Sequence, residues 1–342
     1  MRNVLIVLEL VIMVPAVMKL LVLLYPKQST TTRRLYLLAY LMMPALIYVD
    51  HGHFQPNSPM HGFVLWAVYF ALTSRLSLAV VFMVLAVNFK QMALYFALPF
   101  AVYVLSILWK QAQAKGKGDR IKQLGYLTLR IVLLVVVLIL TFAVVWWPWV
   151  SESLNGDPKH GVASVVARVF PVRRGLFEDK VASFWCVVNN FVKVHKVLTQ
   201  GSQIGLATGL TLFTSLPSLG MLLSGKNTPR HFLLCLFLVS LNFFLFSFHV
   251  HEKQLLLPML IFGLLQCDTF KHYFTVMNLF AMFSMWHLAV KDKCQIAYLG
   301  LMIIWYFAFR PLESFVLHGF KMGNKQSIMI YNDTYKLNIV EN

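Results

Sequence analysis

Residues 124–147, LGYLTLRIVLLVVVLILTFAVVWW, decide the fold class. They carry one charge, Arg130, over more than the ~20 apolar residues a helix needs to cross a bilayer. Hydrocarbon offers backbone N–H and C=O groups no partner, so such a run is stable in lipid only as a helix that closes its own hydrogen bonds. It ends at Trp146, Trp147, Pro148 and Trp149, an interfacial aromatic anchor whose proline is expected to stop the helix.

The pattern repeats outward in both directions. Toward the N-terminus lie apolar runs at 92–109, 76–88, 60–72, 35–49 and 4–25. The last is long for a signal peptide and carries Glu9 and Lys19, so it reads as the first membrane helix. Toward the C-terminus come 204–223, 231–248, 254–265, 273–290 and 296–309. The stretch 181–194, with Asn189 and Asn190, spans, re-enters or lies at the interface. With 59% hydrophobic and 13% charged residues, the expected fold is all-α, a polytopic membrane bundle of roughly ten to eleven helices. Residues 1–310 form one helical membrane domain with non-cytoplasmic loops near 50–59 and 150–180, and 311–342 form a polar tail.

The net charge of +17 does not point to nucleic acid, because Lys and Arg sit in short stretches between apolar runs. Lys27, Arg33 and Arg34 form one such stretch, and Lys110, Lys115, Lys117, Arg120 and Lys122 another. The positive-inside rule makes both cytoplasmic, and four spans separate them, which puts the loop at 50–59 on the other side. Counting alone does not fix the side of residues 249–253. The four cysteines show no disulfide or zinc spacing, and neither a metal nor a cofactor is expected. Nucleotide, zinc-protease and serine-hydrolase motifs are absent from the sequence.

Three polar clusters interrupt this apolar chain. Asp50, His51, Gly52, His53, Phe54, Gln55, Pro56 and Asn57 combine a carboxylate, imidazoles and amides that can hold an anionic head group or sugar hydroxyls; the same residue types also suit a solvated turn. Arg173 and Arg174 present guanidinium forks suited to phosphate, with Glu178 and Asp179 close by, or the four form a surface charge network. His249, Val250, His251, Glu252 and Lys253 lie between two apolar runs, where ionisable groups are costly unless they have a function. On a helix His249 and Lys253 would share one face at i and i+4. The alternative is an interfacial break with Lys253 reaching to head groups.

In order and spacing, these clusters resemble the endoplasmic reticulum alpha-1,3-glucosyltransferases that use dolichyl-phosphate-glucose, membrane enzymes of GT-C architecture. Residues 50–57 resemble the family's D-x-G-H-F-Q-Y-N, 170–182 its F-P-V-x-R-G-L-F-E-D-K-V-A, 249–253 its H-V-H-E-K, and Lys90, Gln91 and Met92 a shared K-Q-M. Residues 175–182 are most like the enzyme adding the first glucose to the lipid-linked high-mannose oligosaccharide. The resemblance implies transfer of glucose, with inversion, from dolichyl-phosphate-glucose to a dolichyl-pyrophosphate-linked acceptor, with the bilayer as an obligatory partner. It implies phosphate or pyrophosphate contacts from Arg173, Arg174, His249, His251 and Lys253, and sugar contacts from Asp50, His53, Gln55, Glu178, Asp179 and Glu252. The family's general base belongs to an acidic D-Y-P-P-like lumenal motif that these residues do not include, so the chain is expected to be truncated at both ends and no catalytic base is assigned. Pro56 replaces a Tyr of the family pattern and Arg173 an Asp. A transporter or channel lined by the charged cluster, or a non-catalytic lipid-sugar-binding remnant, stays open beside this reading.

Overall fold

The structure, a computed structural model, describes residues 2–116, 118–155, 161–169, 181–225, 227–265 and 271–321. Among these the regular structure is helical throughout. Five helices are long and apolar enough to cross a membrane: α1 (Asn3–Leu24), α6 (Gln91–Gly116), α7 (Arg120–Leu154), α11 (Gln200–Leu223) and α12 (Pro229–Phe246). A sixth span is a pair bent by 50°, α2 (Thr30–Leu41) and α3 (Pro44–Gly52). Pro44 makes this bend, because it has no N–H and its ring excludes the carbonyl one turn back. Shorter apolar helices include α4 (Ser58–Leu72) and α5 (Leu76–Phe89).

Between α7 and α11 lie α8 (Val162–Val169), α9 (Phe184–Phe191) and α10 (Val194–Val197). At 8 residues, α9 is too short to cross a bilayer, which removes a span from the options at 181–194. Beyond α12 come α13 (Leu256–Phe262), α14 (Lys271–Ser284), α15 (Trp286–Lys291) and α16 (Gln295–Lys321). The polar tail expected after Arg310 is helical as far as Lys321.

Side-chain caps set where helices start. Ser29, Asp119, Thr199 and Thr228 each accept a hydrogen bond from a first-turn N–H of the helix that follows. The proline stop expected at Pro148 does not occur, and α7 continues to Leu154. A proline removes one backbone bond. At an interface, water and the hydroxyls of Ser151 and Ser153, which donate to the Pro148 and Trp149 carbonyls, keep the last turns satisfied. With 35 residues, α7 is ~52 Å long against a hydrocarbon core of ~30 Å. Its middle exposes Val132, Leu133, Val136, Ile139, Leu140 and Val144, a face suited to lipid tails.

The core joins α1 through α6 to α12 and α13. One crossing is unusually close. In the middle of α1 the turn Glu9–Met13 widens to π geometry just before Pro15. The Trp66 indole donates to the Ile12 carbonyl of this turn at 3.0 Å. Gly62 of α4 packs so tightly on it that a Cβ would lie 2.7 Å from the Ile12 side chain and 3.0 Å from the Met13 backbone nitrogen.

The two ends of the bundle differ. At one, Tyr25 bonds the Leu264 carbonyl, and Lys110 bonds the Asn227 side chain and the Gly225 carbonyl. This end carries the two basic stretches. At the other end lie the 50–57 loop, Lys90, Trp146 bonded to Asn88, residues 249–253 and Asp292.

Candidate functional site

The polar end is built around Asp50. This side chain is fully buried and lies in the last turn of α3, a second π-type turn, Tyr48–Gly52. Its Oδ1 accepts from Asn57 Nδ2 at 2.7 Å; its Oδ2 accepts from the Ser58 N–H at 2.7 Å and from the Ser58 hydroxyl. The carboxylate thus caps α4 and closes the loop from 50 to 58. Asn57 in turn presents its Oδ1 to the Lys90 ammonium. Burial lowers Lys90 to about 8; Asp50 pulls it upward, and the charge of Lys253 pushes it down.

The second wall is the break between α12 and α13. Helix α12 ends at Phe246, whose carbonyl accepts from the Trp185 indole at 2.6 Å. His249 then adopts φ 60°, and a 3₁₀ turn, Glu252–Leu255, starts the next helix. The helical i, i+4 face proposed for His249 and Lys253 is therefore not formed, because the helix has ended at Phe246 and His249 itself is left-handed. The Gln254 side chain fixes the turn instead, accepting from His251 N at 2.9 Å and from the Tyr95 hydroxyl at 3.0 Å. Phe54 in the facing loop also has φ 61°. Non-glycine residues in that region cost about 1–2 kcal/mol each, and strained backbone of this kind clusters at functional sites.

The two walls meet. Lys253 Nζ lies 3.1 Å from His53 Nε2, and His53 Nδ1 lies 2.7 Å from Asp292 Oδ2. The Tyr48 hydroxyl donates to the same carboxylate oxygen at 2.9 Å. Beside them His51 Nε2 is 3.0 Å from Glu9 Oε2, so both partners of that pair come from π-type turns. Residues 249–253 thus lie on the same side of the membrane as the 50–57 loop, the point that counting spans left open.

Of the residues expected from the sequence, His53 and Lys253 come together here; Gln55 is in the loop that carries His53, and His249, His251 and Glu252 are in the segment that carries Lys253. Asp50 was expected to contact sugar, but it is buried with both oxygens engaged and serves as the scaffold of the loop. Arg173, Arg174, Glu178 and Asp179 lie outside the described residues. Three contributors were missed. Glu9 is a lone carboxylate in an apolar run, Asp292 a lone acid between Lys291 and Lys293, and Lys90 was noted only as part of a motif. A charged residue within or beside an apolar run is the signal they share.

Chemically, the site offers two ammonium groups, imidazoles and acceptor oxygens at the end of a hydrophobic bundle. Among the described residues Gln55 Oε1 and Glu252 Oε2 are buried acceptors with no hydrogen-bond partner. Such groups demand donors, and sugar hydroxyls supply them. No group of three metal-ligating side chains occurs among the described residues.

Comparison with known proteins decides the lineage. The profile of the ALG6, ALG8 glycosyltransferase family matches residues 1–341. The chain belongs to this family. It is 38% identical over 274 residues to the probable dolichyl pyrophosphate Man9GlcNAc2 alpha-1,3-glucosyltransferase of Schizosaccharomyces pombe, covering 79% of this chain and 50% of that protein. It is 35% identical to the Gallus gallus enzyme of that name over 299 residues (87% and 55%), and 35% identical to that of Saccharomyces cerevisiae over 280 residues (80% and 48%). The chain spans about half the length of the curated relatives it matches.

Proposed function

We propose that the chain acts in N-glycan precursor assembly in the endoplasmic reticulum membrane, in transfer of glucose from dolichyl-phosphate-glucose to dolichyl-pyrophosphate-linked Man9GlcNAc2 with an alpha-1,3 linkage. The observation that carries this reading is the meeting of the 50–57 loop with residues 249–253, with Lys253 3.1 Å from His53. In a glucosyl transfer the bond from the anomeric carbon to the donor phosphate breaks, and negative charge builds on the departing dolichyl phosphate. Fixed cations that meet that charge lower the barrier. Lys253 is assigned to this role, with Lys90, His249 and His251 in support. Gln55, His53 and Glu252 are assigned to the glucose hydroxyls. Arg173 and Arg174 on the phosphate, and Glu178 and Asp179 on sugar, follow from the family motif alone.

The positive-inside rule supports a lumenal position for this polar end, since the basic stretches lie at the other. The exposed apolar face of α7 suits both bilayer and polyprenyl chain.

The test uses the full chain in nanodiscs with radiolabelled short-chain dolichyl-phosphate-glucose, with donor binding and transfer to the lipid-linked acceptor read separately. The proposal expects donor binding in the wild type, and at least a tenfold loss of donor affinity in the triple variant His251→Ala, Glu252→Gln, Lys253→Met, a conservative figure for removing several charge-assisted contacts. Binding without transfer would assign a non-catalytic lipid-sugar-binding role. Undiminished binding by the triple variant would overturn the site assignment. Ion flux in liposomes abolished by His251→Ala would replace the whole reading with a transporter or channel.

A further inference from the structure

Asp292 lies in the turn after α15, with lysines on both sides in sequence, yet its Oδ2 is engaged by His53 and Tyr48, contributed by the α3 end of the bundle. The donor and acceptor chemistry of the chain Asp292–His53–Lys253 permits one arrangement. An ionised carboxylate only accepts, so His53 Nδ1 carries the proton that bridges the 2.7 Å to Asp292. An ammonium only donates, so His53 Nε2 presents its lone pair to Lys253 across 3.1 Å. The neutral ring in its Nδ1–H tautomer satisfies both partners; the other tautomer would set N–H against ammonium at one end and a lone pair against carboxylate at the other.

The remaining contacts hold this relay in place. The Tyr48 hydroxyl donates to the oxygen that His53 uses, at 2.9 Å, and its ring packs edge-on against Tyr298 at 4.6 Å, which steadies the carboxylate. The His53 backbone N–H bonds the Tyr48 carbonyl at 2.7 Å, so ring and carboxylate are anchored to one turn. An ammonium has three protons. Among the described residues one is engaged, by Nε2, which leaves two for an anion at the polar end, and their direction is set by the imidazole plane instead of by a freely rotating lysine stem.

We infer that Asp292, with Tyr48, is a positioning residue that acts through His53 to aim the Lys253 ammonium at a prenyl-phosphate head group. This rests on the phosphate-binding reading above and adds the group that orients its cation. Partners that orient a ligand-holding imidazole are known to matter nearly as much as the ligand itself where the ligand is a metal, and the same geometric reasoning applies to a cation held by imidazole.

The test has two independent readouts on the full chain in nanodiscs. The first is the ¹⁵N NMR signature of His53, assigned with His53→Gln, which distinguishes Nδ1–H from Nε2–H. The second is affinity for farnesyl phosphate as probe. The wild type is expected to show the Nδ1–H tautomer. Asp292→Ala should give a tautomer mixture and about a tenfold loss of affinity, with Tyr48→Phe showing a smaller loss and Asp292→Glu restoring part of it. In a Lys253→Met background, Asp292→Ala should cost nothing further, because its effect travels through that ammonium. Additive losses, or an unchanged tautomer in Asp292→Ala, would overturn the inference. If Lys253→Met alone binds farnesyl phosphate as tightly as wild type, the phosphate-site reading fails, while the tautomer result still judges the relay. Asp119→Asn, an acid at the opposite end, is the control expected to leave both readouts unchanged.

Discussion

Replacing Asp50 by Asn is close to isosteric, yet the hydrogen-bond geometry makes it costly. Three donors converge on the carboxylate: Asn57 Nδ2 on one oxygen, and the Ser58 N–H and hydroxyl on the other. An amide keeps one acceptor and turns two N–H groups toward whatever faces its other side. If its oxygen serves Ser58, its NH₂ meets the NH₂ of Asn57. Asn57 cannot escape by flipping, because its own oxygen receives Lys90, and the flip would set an amide donor against an ammonium. Hydrogen bonds to charged groups contribute about 1.5–3 kcal/mol and a stranded buried donor costs about 1–3 kcal/mol, so Asp50→Asn should destabilise by ~2–4 kcal/mol. At roughly 2–4 °C per kcal/mol for domains of 150–250 residues, a fall of ~4–16 °C follows. Thermal unfolding in nanodiscs with a thiol-reactive dye reads it in a chain whose other three cysteines are replaced, since Cys235 is buried and reacts only when the bundle opens. The loss should shrink when Asn57→Ala is already present, because the two side chains share one network. Melting within about 1 °C of wild type, or strict additivity with Asn57→Ala, would refute the reasoning.

Gly62→Ala should cost ~1–3 kcal/mol by overpacking the α1–α4 crossing, and Trp66→Phe ~1 kcal/mol by removing the bond to Ile12; melting near wild type in both would mean that the helices are farther apart. Lys90 gives a pH test. Its folded value near 8 lies below the ordinary 10.5, so between those values the unfolded chain binds more protons, and stability should rise with pH across that window. The gain should be absent from Lys90→Met; parallel melting curves from pH 7 to 10 would contradict the assignment of Lys90 to the buried network.

Much of the helical frame was legible because lipid imposes a simple rule: long apolar runs must be helices. Thus 76–88 matches its helix to within a residue, and 204–223 leaves out only the first turn of its helix, which begins at Gln200. Boundaries failed where a local stop signal met a tolerant environment, as at Pro148, or where a helix was extended over polar residues without a break, as at His249. The candidate site was half legible. Its motif residues are adjacent in sequence and chemically conspicuous. Glu9 and Asp292 are single acids whose meaning arises only when folding brings them to His51 and His53. Asp50 shows the converse: its residue type fits sugar binding, but burial and three donors commit it to holding the loop.

The central claim is that the 50–57 loop and residues 249–253 form one site at one membrane face. Short bifunctional thiol cross-linking tests it most directly, in a chain whose native cysteines are replaced, with one cysteine at position 53 and a second at 253 or, as the control, at 110. With His53 and Lys253 in contact and Lys110 bonded at the opposite end, the 53–253 pair should link efficiently and the 53–110 pair should not. Linking of 53 to 110, or none between 53 and 253 despite full labelling of each alone, would contradict the account.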